Sequence, residues 1–333
     1  MADLRFEPVS GTWVAIARNR NRRPMEFVSI PEIKEHVRCP FCSGHEEATP
    51  QAVAAYDAEG NKLTSHNPSQ PWLVRVVPNK YPSLNEPGQA MAGGPYQTSQ
   101  ATGIQEVVVP SPRHISSFSE LTHEEATVSL QACQERLRQL AEHPSVQHVM
   151  LFMNCGLVAG ASLGHIHLQI IASPVSSPSL DRRARLNDQH VTERGHSVLR
   201  SLLNWEVEQQ ERIVEETESF FVLCPFASQY PYQTWFLPKR LESGWTDMNQ
   251  VEREELGRLL RKYVARLETL LDKPAYNVLF HQPPTSASFR GGGYVELLPR
   301  LTRAAGYELG TDIWVNPVAP ELAAEQLRSA GDA

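Results

Sequence analysis

Between Gly160 and Ile171 the chain reads Gly-Ala-Ser-Leu-Gly-His-Ile-His-Leu-Gln-Ile-Ile, and from His165 to Ile170 polar and apolar residues alternate strictly. Side chains on an extended strand point alternately to its two faces. His165, His167 and Gln169 therefore share one face, while Ile166, Leu168 and Ile170 share the other and suit a core. Two imidazoles and an amide on a covered face need hydrogen-bonding partners. Gly160, Ala161, Ser162 and Gly164 just upstream let a ligand's backbone or phosphate approach closely. A solvated pair of histidines is the bland alternative; the small-residue lead-in and Gln169 favour a site.

This strand has a place in an order that occurs twice. Trp72 to Val77 and Glu106 to Val109 read as short strands, and Thr122 to His143 as a helix. Thr122 is its expected N-cap, and Glu125 completes a capping box. Val149 to Met153 and His165 to Ala172 read as further strands. In the second half, Phe220 to Leu223 and Gln233 to Pro238 are β-rich. Asn249 to Leu271 carries apolar residues at helical spacing, and Asn277 to Phe280 and Gly293 to Leu298 read as strands. Strand, strand, helix, strand, strand thus appears in each half, which points to duplication with one working site. A hairpin is expected over Arg5 to Ala17, and the polar stretch Ser176 to Glu218, helix-prone from about Val198, bridges the halves.

The 333 residues allow two modest domains or one large one, and a net charge of −7 gives no global field for nucleic acid or an anionic membrane. No apolar run is long enough to span a bilayer, and Met1 to Glu7 lacks the apolar core of a signal peptide. Five cysteines do not make a disulfide framework, so reducing cytoplasm is the expected compartment.

Cys39-Pro40-Phe41-Cys42 reads as a knuckle whose two thiolates chelate one metal ion but leave a tetrahedral site half filled. His114 and His165 are candidates for the remaining positions, with His36, His45 and His123 left open. Arg18, Arg20, Arg22 and Arg23 crowd one loop, where guanidinium groups suit phosphate, although solvated basic turns are common.

Several motifs in order carry a resemblance to the galactose-1-phosphate uridylyltransferases of the histidine-triad superfamily. They are Arg5 to Val14, Arg20 to Pro24, Cys39-Pro40-Phe41-Cys42 with Glu46 and Thr49-Pro50, and Pro78-Asn79-Lys80-Tyr81-Pro82. Further on come Ser111-Pro112-Arg113-His114, Asn154, Gly160-Ala161-Ser162 with His165-x-His167-x-Gln169, and Pro299 to Arg303 before Gly306-Tyr307-Glu308. The resemblance implies an α+β fold of two histidine-triad-like halves, mostly antiparallel sheets flanked by helices, with a catalytic half over 1–178 and a second half over 179–333. It implies structural zinc on Cys39, Cys42, His114 and His165, and a homodimer. It implies His167 as a nucleophile that carries a nucleotide between a UDP-sugar and a hexose 1-phosphate, with Gln169 assisting. Arg20, Arg23, Asn79, Asn154, Ser162 and Gln169, with Tyr307 and Glu308 from a partner subunit, are the implied substrate contacts.

Three departures qualify the match. Ile166 and Leu168 stand where the signature usually has Pro and Gly or Ser, and the pattern also resembles adenylyl-transferring ADP-glucose or diadenosine polyphosphate phosphorylases. Gly291-Gly292-Gly293-Tyr294-Val295-Glu296 replaces a second-half His-x-His pair, so no iron site is expected beside His281. Gln105 replaces a histidine. A nucleotide-binding protein without turnover, and a hydrolase using water as acceptor, are the readings of other kinds.

Overall fold

The computed structural model describes residues 3–18, 38–63, 71–84, 102–241, 244–282 and 292–331. The expected N-terminal hairpin forms from β1 (Asp3–Glu7) and β2 (Thr12–Ile16), with Gly11 at positive φ in its turn. Ten further strands make one sheet. Its first half holds β3 (Ala54–Tyr56), β4 (Val74–Pro78), β5 (Ile104–Val109), β6 (His148–Cys155) and β7 (Leu168–Ser173). Its second half holds β8 (Ile213–Glu216), β9 (Phe220–Leu223), β10 (Thr234–Pro238), β11 (Tyr276–His281) and β12 (Tyr294–Pro299). The order across the sheet is β3-β4-β5-β7-β6-β11-β12-β10-β9-β8, every neighbouring pair antiparallel. The fold is α+β.

Outward from the central pair β6–β11, each half runs fourth, fifth, third, second and first strand of its own five. Helix α1 (His123–Ala141) precedes β6 and α4 (Gln250–Leu271) precedes β11. Both begin with the same device. Thr122 and Asn249 are the N-caps, and Glu125 and Glu252 close the capping boxes. Arg113 and Arg240 each pair with that glutamate. Each pair is 127 positions apart, as are the one-turn helices Phe118–Glu120 and Trp245–Asp247. The repeat is therefore in residue register, and each unit has three strands before its helix. The additional strands, β3 and β8, are only three and four residues long, too short to announce themselves by alternation.

Helices α1 and α4 cover one face of the sheet. The main core between them contains Leu130, Leu137, Leu256 and Leu260 from the helices with Leu151, Ile170, Val278 and Phe280 from the strands. The connection between halves forms α2 (Pro178–Arg194) and α3 (Val198–Gln209). The first had no apolar stripe to reveal it; Ser177 as N-cap, Pro178 in the first turn and Gly195 at the C-cap define it instead. After β12 the chain forms α5 (Gly306–Thr311), β13 (Ile313–Asn316) and α6 (Pro320–Ser329). Strand β13 returns to pair in parallel with β2, giving a small three-stranded sheet. No helix among the described residues is long and apolar enough to cross a membrane.

The two buried glutamates test the repeat. Glu125→Ala and Glu252→Ala each remove a carboxylate that accepts both from the N-cap N–H and from a guanidinium. Urea denaturation is expected to show a loss of about 1.5–3 kcal/mol for each; a loss under about 0.5 kcal/mol in either contradicts their shared anchoring role.

Candidate active site

Strand β7 begins at Leu168, later than the alternation suggested, so His165 to His167 stand just ahead of the ladder. The reason is local: the Ile166 N–H donates to the Ile115 carbonyl (2.8 Å) instead of to a β5 partner, which carries this segment toward His114. The alternation of faces holds throughout. Ile166, Leu168 and Ile170 enter the main core, whereas the His167 ring packs 5.2 Å from the Phe41 ring on the opposite face.

Cys39, Cys42, His114 and His165 converge, their ligand atoms all within 4.8 Å of one another. Three elements bring them together. The knuckle closes through the Cys42 N–H donating to the Cys39 carbonyl, and the Ser43 N–H donates to Pro112 (3.0 Å), tying it to the loop that bears His114. That loop is anchored to α1, because the Ser111 hydroxyl and the Arg113 guanidinium both donate to Glu125. His165 is fully buried, and its Nε2–H donates to the Ser111 carbonyl at 3.1 Å, which fixes the tautomer and aims Nδ1 at the cysteines.

The donor set fits one thiophilic divalent ion. Cys39 Sγ lies 3.5 Å and Cys42 Sγ 3.6 Å from His165 Nδ1, and Cys42 Sγ lies 3.4 Å from His114 Nδ1. Metal–sulfur bonds of about 2.3 Å and metal–nitrogen bonds of about 2.0 Å at a tetrahedral angle give an edge of roughly 3.6 Å. Burial and the neighbouring Cys39 push the Cys42 thiol up to about 11, and burial followed by His114 holds His165 down to about 4. A bound cation reverses the thiol shift, because thiolates gain from it what burial takes away. With all four positions filled by protein, such an ion is structural rather than open to substrate. Of the other histidines left open by sequence, His45 donates from Nδ1 to the Cys39 carbonyl (2.9 Å), which braces the knuckle without joining the tetrad. His123 opens α1, and His36 lies outside the described residues.

His167 is 5% exposed. Its Nδ1 lies 2.9 Å from the His165 carbonyl. A carbonyl only accepts, so Nδ1 carries the proton and Nε2 keeps its lone pair. Burial lowers the basicity of this ring, which keeps it neutral at physiological pH. A neutral imidazole with a free Nε2 is a nucleophile. Phe41 is the link that sequence reasoning missed. Its ring sits 5.9 Å from His165 and 5.2 Å from His167, so the knuckle supports both histidines. The one available signal was a large apolar residue between two thiolates.

The remaining expected site residues divide. Gln169 follows on β7, half-buried, and Ser162 is exposed on the approach to His165. Asn154 is the penultimate residue of β6, near the turn at Gly160, which has positive φ, and its Oδ1 accepts from Asn277 Nδ2 at 2.8 Å. Asn277 had no sequence signal. Asn79 Oδ1 accepts from the Tyr81 N–H at the end of β4. Gln105, the departure noted above, grips Ser83 through both ends of its amide. Tyr307 and Glu308 lie on α5 beside the small sheet, where Glu308 accepts from the Ala305 N–H; no described contact joins them to His167 of the same chain. Arg20, Arg22 and Arg23 lie outside the described residues.

The model of the galactose-1-phosphate uridyl transferase N-terminal domain matches residues 1–177, and that of its C-terminal domain matches residues 183–294. An ADP-glucose phosphorylase of Arabidopsis thaliana is 30% identical, over 98% of this chain and 92% of that protein. A galactose-1-phosphate uridylyltransferase of Thermotoga maritima is 29% identical, over 98% of each. The crystal structure of an ADP-glucose phosphorylase from Arabidopsis thaliana with bound ADP-glucose superposes with a TM-score of 0.82 at 28% identity, over 98% of this chain and 99% of that one.

The tetrad gives a direct expectation. Metal analysis of the purified chain should return about one equivalent of a divalent transition metal. Cys39→Ser should lose most of it and about 2 kcal/mol or more of stability, seen as a fall in Tm of roughly 3 °C or more. Full metal retention in that variant would remove Cys39 from the ligand set.

Proposed function

The chain belongs to the galactose-1-phosphate uridyl transferase family and is a nucleotidyltransferase, and from that premise we propose that it moves UMP between a UDP-sugar and a hexose 1-phosphate through a nucleotidyl-His167 intermediate. The observation that carries this reading is the bond from His167 Nδ1 to the His165 carbonyl, which leaves Nε2 as the attacking atom.

The chemistry is a double displacement. Nε2 of His167 attacks the α-phosphorus; a P–N bond forms, the P–O bond to the sugar phosphate breaks, and that sugar phosphate leaves with the bond's electrons. An oxygen of the incoming sugar phosphate then attacks the same phosphorus, and the P–N bond breaks to return His167 to its neutral state. Entering and leaving groups are alike, so neither step needs a strong acid. Gln169 donates to a non-bridging oxygen as charge gathers there. Asn154, Ser162 and Asn79, with Arg20 and Arg23, hold phosphates and nucleoside.

We assign zinc to the tetrad, because two thiolates and two imidazoles in a closed four-coordinate set suit it. Its part is electrostatic and structural: it neutralises the thiolates. Cys39, Cys42 and Phe41 then hold His165, and through its carbonyl His167. We read residues 1–178 as the catalytic histidine-triad-like half and 179–333 as its partner half. We further read the enzyme as a cytoplasmic homodimer in which Tyr307 and Glu308 reach a neighbour's site. The five free cysteines and the exposed Tyr307 and Leu309 support these assignments.

A second reading, adenylyl transfer from ADP-glucose to inorganic phosphate, is favoured by the similarity to the Arabidopsis ADP-glucose phosphorylase in both sequence and structure. Ile166 and Leu168 do not decide between the two, because both are buried in the core.

Intact-mass measurement after incubation with UDP-glucose or ADP-glucose separates these readings. The wild-type chain is expected to gain one UMP, and an AMP adduct instead selects the second reading. His167→Ala should gain neither and lose roughly 10⁴-fold or more in kcat, while Gln169→Ala should label slowly, down roughly 10²–10³-fold. Absence of any adduct in the folded, metal-loaded wild type would overturn nucleotidyl transfer.

A further inference from the structure

The repeat gives the second half a face equivalent to the one that bears His167. The same 127-residue offset, with β12 paired to β11 as β7 is to β6, carries His167 onto Tyr294, Gln169 onto Glu296 and Asn154 onto His281. A cavity of about 260 Å³ lies over that face, rimmed by Glu7, Arg183 and Arg300 and walled by Trp235, Tyr294 and Leu298.

Nothing in this cavity is an available nucleophile. Burial raises the Tyr294 phenol far above its usual value. Glu296 has both oxygens engaged: Oε1 accepts from Trp235 Nε1 (2.7 Å) and Gln233 Nε2, and Oε2 from His281 Nε2 (2.8 Å). On its other side His281 accepts from Arg183 Nη1 at 2.7 Å, and that nitrogen also reaches the Tyr294 hydroxyl (3.0 Å). The equivalent face therefore keeps a recess and a rigid polar floor but no group able to carry a nucleotide.

The recess does keep buried polar atoms without partners. Glu7 is 3% exposed; its Oε1 accepts from the Val9 N–H, and its Oε2 has no partner among the described residues. Nε of Arg183 and Nε of Arg300 are likewise buried and unpaired. A buried polar atom without a partner carries a desolvation cost that nothing in the protein offsets. The three charged groups that bear them line one recess and point to a ligand of matching chemistry. Two guanidinium edges call for a phosphate. A buried carboxyl, pushed up by burial to about 7, calls for hydroxyl groups that both donate and accept. The Trp235, Tyr294 and Leu298 wall suits the C–H face of a sugar ring.

We propose that this cavity is a second binding site, separate from that of His167, for a small hydroxylated phosphate ester of the hexose-phosphate class. The site is not isolated from the catalytic side. Asn277 lines it and donates from Nδ2 to Asn154 Oδ1 and to the Ala159 carbonyl, each at 2.8 Å, so one side chain separates the ligand from the turn that leads to His167.

Isothermal titration of the full-length, metal-loaded chain with glucose 1-phosphate, and separately with inorganic phosphate, tests this. The wild type is expected to show a site that prefers the ester, weakened at least tenfold in Arg300→Met and in Glu7→Gln, with nucleotide labelling of His167 unchanged in both variants. Circular dichroism and Tm verify that each variant folds, and the milder Glu7→Gln serves if Arg300→Met does not. Wild-type binding by both folded variants, or no binding to the parent chain, overturns the proposal. Equal affinity for inorganic phosphate overturns its sugar component. Binding that depends on Arg300 in a chain that never takes up a nucleotide would leave this site standing and sink the double displacement instead; labelling without the binding would do the reverse.

Discussion

Two thiols and two imidazoles drawn to within 4.8 Å of one another are the constraint on which the site depends. Left alone they are unfavourable: burial and the neighbouring Cys39 keep the Cys42 thiol neutral, and burial keeps the His165 ring unprotonated. A cation at their centre would turn the same arrangement into a clasp between three distant stretches of chain, 39–42, 111–114 and 165–167. His167 is tied to the same residues. Its Nδ1 is held by the carbonyl of a tetrad residue, and its ring rests on the phenylalanine between the two cysteines. The proposed nucleophile is thus oriented by backbone and packing rather than by an acidic partner, which suits an imidazole that must stay neutral to attack phosphorus.

The halves share a scaffold to the residue and differ in what they place on it. Capping boxes, bridging arginines and one-turn helices recur at a fixed offset, because each anchors the helix that covers its half of the sheet. The faces opposite those helices have diverged. One presents His167 and Gln169; the other presents Tyr294 and Glu296, with Glu296 buried and held ionised, down to about 2, despite the cost of burial, by His281 and Arg183. Such a carboxylate, with both oxygens engaged, sets geometry and does no chemistry.

Much of this was legible in the chain itself. The capping box at Thr122 fixed where α1 begins, and apolar residues at helical spacing marked α4, since those signals are local. The alternation through His165 and His167 gave the correct faces even though the hydrogen-bonded ladder starts later, because side-chain direction follows extended backbone with or without a partner strand. The tetrad followed from ligand chemistry together with a family resemblance; spacing alone left His36, His45 and His123 open. What escaped was non-local. The contact of Phe41 with both histidines, the Asn277–Asn154 bond and the return of β13 to β2 join residues far apart in sequence, and no local pattern records them. Helix α2 escaped for another reason: its only buried residue is Asn187, so it has no apolar stripe to find.

The central claim is that one named atom carries the nucleotide. Peptide mapping by tandem mass spectrometry, on protein exposed to nucleotide sugar and quenched in alkali to preserve a P–N bond, addresses it directly. The account predicts a single modified residue, His167, joined through Nε2. Modification of any other residue, Tyr294 included, would contradict it.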